Sequence, residues 1–76
     1  MKSVKVYFPS MDSVKEFVNY VSRYPYEVDL HSGRYVVDAK SLLGIFSLDL
    51  GKPIVCEIYN DNCDELLKDI NKYIAK

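Results

Sequence analysis

The chain has 76 residues, of which 49% are hydrophobic and 28% charged, with three Gly, three Pro and a formal net charge of −1. A chain this short forms one domain over residues 1–76 and buries only roughly 60% of the surface its unfolded form exposes, which excludes a large multi-domain enzyme and leaves little for a deep substrate pocket. Ten basic residues nearly balance eleven acidic ones without a basic run, unlike most nucleic-acid binders, and no apolar stretch nears the ~20 residues of a membrane span, while Met1-Lys2-Ser3-Val4-Lys5 turns polar too soon for a secretion signal, so a cytoplasmic location is expected.

In chain order, Val4, Val6 and Phe8 alternate with polar neighbours and predict a half-buried strand that Pro9 ends. Ser10-Met11-Asp12-Ser13 is a cluster able to cap a helix; Ser13 and Glu16 also stand at capping-box spacing, and spacing alone does not choose between them. Val14, Phe17, Val18 and Val21 then form one stripe of an amphipathic helix running to Arg23 or Tyr24, beyond which Pro25 forbids continuation.

From Tyr26 the period returns to two. Tyr26, Val28 and Leu30 share the inner face, and Glu27, Asp29 and His31 the outer. Ser32-Gly33 predicts a hairpin turn, followed by a return strand over Arg34–Ala39 with Tyr35, Val37 and Ala39 inward. Ser41 to Leu48 predicts one or two turns of helix, short because Gly44 costs about 1 kcal/mol of helix preference relative to Ala. Ile54, Cys56 and Ile58 face inward on a last strand, Asn62 and Glu65 stand at capping-box spacing, and Leu66, Leu67, Ile70, Tyr73 and Ile74 line one side of a closing helix. The order β-α-β-β-α-β-α, with one apolar face per element, describes an α+β domain with helices laid on one side of a mostly antiparallel sheet. Periodicity does not set the strand order.

Chemistry-bearing sets are few. Cys56 and Cys63 lack metal or redox spacing; Cys56 reads as a small buried hydrophobe, and Cys63, near a helix start, is the thiol whose pKa a helix N-terminus could lower. His31, the only histidine, reads as a solvated residue at a hairpin end beside Asp29, with no second metal ligand at suitable spacing. No nucleophile has a base in sight, so neither an enzyme, a metal site nor a cofactor is expected. Seven tyrosines read as core and interface residues, Tyr26 and Tyr35 among the inward ones, rather than as a nucleic-acid platform. Ser41 sits where a helix N-cap is expected; a phosphate there would meet the positive end of the helix dipole. If Leu42, Leu43 and Phe46 cannot all face the sheet from so short a helix, some of them form an exposed apolar patch that suits a protein partner.

Lys40-Ser41-Leu42-Leu43-Gly44-Ile45-Phe46-Ser47-Leu48, in a chain with this element order and length, resembles the HPr family, the histidine-containing phosphocarrier proteins of the bacterial phosphotransferase system. The resemblance implies an open-faced two-layer sandwich with a four-stranded sheet of order 1-4-2-3 and three helices on one face. In that family a histidine opening the first helix receives phosphate from enzyme I, aided by an arginine two residues on and a proline after it. The matching positions here are Ser10, Asp12 and Ser13. A hydroxyl lacks the imidazole nitrogen that carrier chemistry needs, and Asp12 would repel phosphate, so loss of phosphohistidine transfer is expected; His31 is not expected to substitute, since a hairpin tip lies away from the start of the first helix. Ser41 matches the family's regulatory serine, phosphorylated in many bacteria by a dedicated kinase that controls carbon metabolism, and Leu42, Leu43 and Phe46 match the apolar patch that meets enzyme I, that kinase and regulators. The resemblance therefore implies a regulatory or protein-interaction module, monomeric, with two alternatives: a participant in sugar phosphotransfer through another nucleophile, or a homodimerising structural module.

Overall fold

A computed structural model describes residues 1–75. Its elements are β1 (Lys2–Val6), α1 (Met11–Val21), β2 (Val28–Ser32), β3 (Tyr35–Asp38), α2 (Leu42–Phe46), β4 (Ile54–Ile58) and α3 (Asp64–Asp69), followed by a 3-10 turn over Asn71–Tyr73. The sheet is antiparallel throughout, in the order β1-β4-β2-β3, and the three helices lie against it in an α+β sandwich. The register puts Val6 opposite Ile54, and Leu30 between Cys56 and Val37, so the apolar side chains of the alternating strands make one continuous inner surface. Val14, Phe17 and Val21 of α1, Ile45 of α2 and Leu66 of α3 close over it, every one fully buried. Phe8, Phe17 and Tyr73 pack ring against ring at 5.0–6.0 Å where α1 meets the C-terminal segment. Among the described residues no helix is long and apolar enough to cross a membrane.

Four local expectations are corrected. The hairpin loop is Gly33-Arg34 rather than Ser32-Gly33, because Ser32 already pairs with Tyr35. Gly33 carries the chain's positive φ of 60°, the geometry of a type II′ turn that matches the twist of its strands. Tyr35 is 67% exposed although Val37 packs on the core and Ala39 is buried; the alternation holds, but Tyr35 sits at the hairpin end of an edge strand, where no helix covers it. Tyr26 precedes β2 and is half-buried, stacked on Tyr24 at 5.4 Å. α1 ends at Val21 and continues as tighter turns, Arg23 N–H to the Tyr20 carbonyl and Tyr24 N–H to that of Val21.

The closing helix differs most. No Asn62 cap forms: Cys63 is the cap residue and has no capping hydrogen bond, while Asn62 N–H donates to Asn60 Oδ1 at 2.8 Å. Cys63 is only 2% exposed, so the thiol faces the core and not solvent, and burying it sets where the helix starts. α3 then stops at Asp69, and Ile74, expected on its apolar stripe, is extended and bridged to Val6. Tyr7 N–H donates to the Tyr73 carbonyl and Ala75 N–H to that of Lys5, each at 2.8 Å. The free edge of β1 offers unpaired backbone groups, and satisfying them outweighs one more helical turn.

Candidate functional site

The start of α1 is built around two hydroxyls. Ser10 is extended (φ −151°, ψ 166°), and its Oγ accepts from Ser13 N–H at 3.2 Å, so Ser10 is the cap. Ser13, 7% exposed, lies in the first turn with its Oγ 2.9 Å from that of Ser10. Glu16 does not complete a box with Ser13; it accepts from the Tyr73 hydroxyl at 3.0 Å and pairs with Lys72 at 3.6 Å. Asp12 supplies a carboxylate in the first turn, where the helix dipole favours negative charge. Among the described residues both hydrogen bonds of the Ser10 hydroxyl are to Ser13, and no imidazole or other base stands against it. The arrangement works as a cap, and an incoming anion would meet the Asp12 carboxylate.

α2 is anchored from both sides of its first residue. Ser41 (φ −101°, ψ 103°) caps it by accepting from Gly44 N–H at 3.2 Å, and its carbonyl takes the first helical bond from Ile45. Upstream, Asp38 Oδ1 accepts from Lys40 N–H at 2.9 Å, and Lys40 Nζ donates to the Tyr24 carbonyl at 2.9 Å, tying the start of α2 to the end of α1. Sequence reasoning missed this tether. It also treated Gly44 only as a cost to the helix. A Cβ there would lie 3.1 Å from Ser41 Oγ and 3.3 Å from Val37 Cβ, so the missing side chain lets α2 press onto β3 with its cap in place.

One turn of helix cannot bury three bulky residues on one side. Ile45 takes the inward position at 0% exposure, Leu42 and Phe46 pack half-buried on the rim of the core, and Leu43 is 82% exposed. Leu43 stands two residues after the exposed Ser41. At the α1 end Met11 is 65% and Tyr7 42% exposed.

His31 is not at a hairpin tip in solvent. It lies within β2, opposite Val55 and Val36, with 29% of its side chain exposed and its Nε2 buried, 3.6 Å from Glu57 Oε1 and without a hydrogen bond. Register places it at the same end of the sheet as the close of β1, since Val6 faces Ile54 and His31 faces Val55. What separates it from the start of α1 is the face: Leu30 beside it points into the core, so the imidazole stands on the side of the sheet away from the helices. Among the described residues no three His, Cys, Asp or Glu side chains are grouped to hold a metal ion.

No family model and no curated protein sequence matches the chain. Solved structures do. HPr-C-His from Thermoanaerobacter tengcongensis superposes with a TM-score of 0.78 at 23% identity, over 95% of this chain and 89% of that one. The phosphocarrier protein HPr of Bacillus anthracis str. Ames gives 0.71 at 23% identity, over 97% and 94%. The catabolite repression containing protein Crh of Bacillus subtilis, described as a swapped dimer, gives 0.66 at 20% identity, over 96% and 90%. The chain thus has the HPr fold, with sheet order 1-4-2-3.

Proposed function

We propose that this HPr-fold protein is a cytoplasmic regulatory module without phosphohistidine carrier activity, which binds a protein partner through α2 and is switched by phosphorylation of Ser41. The observation that carries the reading is the exposure of Leu43, 82%, on a helix held rigidly by Ile45, the Ser41 cap and the Lys40 tether. Leu43, with the half-buried Leu42 and Phe46 on the same helix, offers an apolar patch on a fixed support close to a modifiable hydroxyl, and such a patch is suited to a docking contact that charge can switch off. The α1 start supports the other half: Ser10 serves as a cap and Asp12 occupies the first turn, where the family's carrier would need an imidazole and a cation.

The test has two arms. Incubated with phosphoenolpyruvate and enzyme I, the protein is expected to acquire no acid-labile phosphate, and labelling would refute the loss of transfer. Incubated with the serine kinase and ATP, it is expected to gain one phosphate on Ser41 by mass spectrometry, and an unmodified protein would remove the switch. The phosphocarrier name of the Bacillus anthracis neighbour favours the alternative of surviving phosphotransfer, which the first arm decides. The swapped dimer of Crh favours a homodimerising module; a constant monomer mass in light scattering across a concentration series would exclude it.

A further inference from the structure

At the end of the molecule opposite the start of α1, the segment Tyr24-Pro25-Tyr26 faces the loop between β4 and α3. Tyr24, Tyr26, Asn60, Asn62 and Glu65 line a polar pocket of about 390 Å³ there. Pro25 holds its own φ near −65° and restricts the residue before it, so the chain presents the two rings in a set relation; their centroids are 5.4 Å apart and their planes 31° from parallel. Tyr59 N–H donates to the Glu27 carbonyl at 2.9 Å, closing the two walls against each other.

The charged side chain in the pocket lining is acidic. Glu65 contributes a carboxylate, and one helical turn on, Asp69 accepts the Tyr24 hydroxyl at 2.5 Å. A phenol that donates to a carboxylate has a more electron-rich ring, which strengthens its attraction for a cation. Both phenols are held above their ordinary value: Tyr24 is pushed up to about 12 by that hydrogen bond, with desolvation and the charges of Asp69 and Glu65 adding to it, and Tyr26 is raised by desolvation, with Cys63 and Glu65 adding. Among the described residues two other tyrosine rings already have cations. Arg23 lies 5.3 Å from the Tyr20 ring, and Lys72 lies 5.5 Å from Tyr20 and 5.3 Å from Tyr73. Among the described residues none stands over Tyr24 or Tyr26, and neither Glu65 nor Asp69 has a basic partner. Lys40, the nearby ammonium, is directed at the Tyr24 backbone carbonyl and not at the rings.

We propose that the Tyr24–Tyr26–Glu65 pocket binds an organic cation, an ammonium or guanidinium group offered either by a free small amine or by a Lys or Arg side chain of another protein. The outer face of the stacked ring pair takes the alkyl-flanked charge, Glu65 balances it, and the Asn60 and Asn62 side-chain oxygens accept its remaining N–H groups. The pocket shares no lining side chain with the α2 docking surface, so the two readings are tested separately, although Lys40 Nζ joins them at the Tyr24 carbonyl.

The experiment is a titration of the ¹⁵N-labelled protein by NMR with butylammonium chloride and with a blocked Gly-Lys-Gly peptide, against sodium chloride at matched ionic strength and against glucose. Saturable shifts confined to residues 24, 26, 60, 62 and 65 are expected from both cations and from neither control. Tighter binding of the peptide assigns the cation to a protein partner, and equal binding assigns it to a free amine. Glu65→Gln, an exposed change that leaves the core untouched, is expected to weaken binding at least threefold, and Tyr26→Leu about tenfold. Shifts reproduced by sodium chloride or glucose, shifts that never saturate, or an unchanged affinity in Glu65→Gln would overturn the proposal; if Tyr26→Leu does not fold, Glu65→Gln decides alone.

Discussion

Replacing Gly44 by Ala sets a gain in helix preference against the cost of crowding at the Ser41 cap and at Val37. An alanine in a helix is favoured over glycine by about 1 kcal/mol, and that gain alone would make the variant more stable. The new Cβ, however, would stand 3.3 Å from Val37 Cβ, 3.1 Å from Ser41 Oγ and 3.4 Å from Ser41 Cβ. Val37 Cβ moves only with the backbone of β3, so it yields only by bending the strand. The Ser41 hydroxyl can rotate, but doing so gives up the hydrogen bond from Gly44 N–H, and losing a serine cap costs about 1 kcal/mol. Overpacking at the strand adds about 1 kcal/mol or more. The expected net is a destabilisation of about 1 kcal/mol, which for a domain of this size lowers Tm by about 4–8 °C. Urea unfolding of wild type, Gly44→Ala, Ser41→Ala and the double variant measures it as a cycle. Without the hydroxyl there is no cap left to lose, so Gly44→Ala should be milder by about 1 kcal/mol in the Ser41→Ala background. A stabilised Gly44→Ala protein, or strict additivity in the cycle, would refute the reasoning.

Two neighbours on α2 should separate docking from packing: Leu43→Ser should leave stability within about 0.5 kcal/mol, while Ile45→Ala, at a site with 0% exposure, should cost about 2–5 kcal/mol in the same urea measurement. Tyr24 and Tyr59 are each pushed from 10.0 to about 12, chiefly by hydrogen bonds to Asp69 and Glu57. A folded-state value above the unfolded one means that the stability they contribute is complete below pH 10.0 and is lost as pH rises to about 12. Asp69→Asn should return the Tyr24 titration, followed by ¹³C NMR of the phenol carbon, toward 10.0, and an unchanged midpoint would count against the hydrogen bond. Burial pushes the Cys56 thiol up to about 12, and Cys63 is 2% exposed, so a thiol reagent should label either only as fast as the protein opens; labelling of either in a folded protein within seconds would contradict the burial.

The layers of this fold were legible because each element carries its own periodicity. Val14, Phe17 and Val21 at helical spacing, and Ile54, Cys56 and Ile58 at strand spacing, become core residues without any knowledge of their neighbours. The cap at Ser41 was legible as well, since a serine ahead of a short apolar run satisfies the local backbone wherever the helix finally packs. Signals that depend on distant partners failed. Asn62 has the spacing of a cap, but the core's demand for Cys63 moved the helix start; Ile74 has the spacing of a helix stripe, but the edge of β1 drew it into extended pairing. In the same way Glu16 left its local serine for Tyr73 and Lys72, far along the chain.

By itself, then, the order of residues determined which side chains seek burial, the hand-off between strand and helix along the chain, and the absence of an imidazole before residue 31. Only packing in three dimensions decided that Leu43 is the member of its apolar trio left in solvent, that His31 stands on the sheet face away from the helices, and that Tyr24 and Tyr26 meet Glu65 around one cavity. Short-range backbone and burial preferences act over a few residues and are written locally. Which face a helix covers, which edge a strand leaves open and which loops come together depend on all the layers at once.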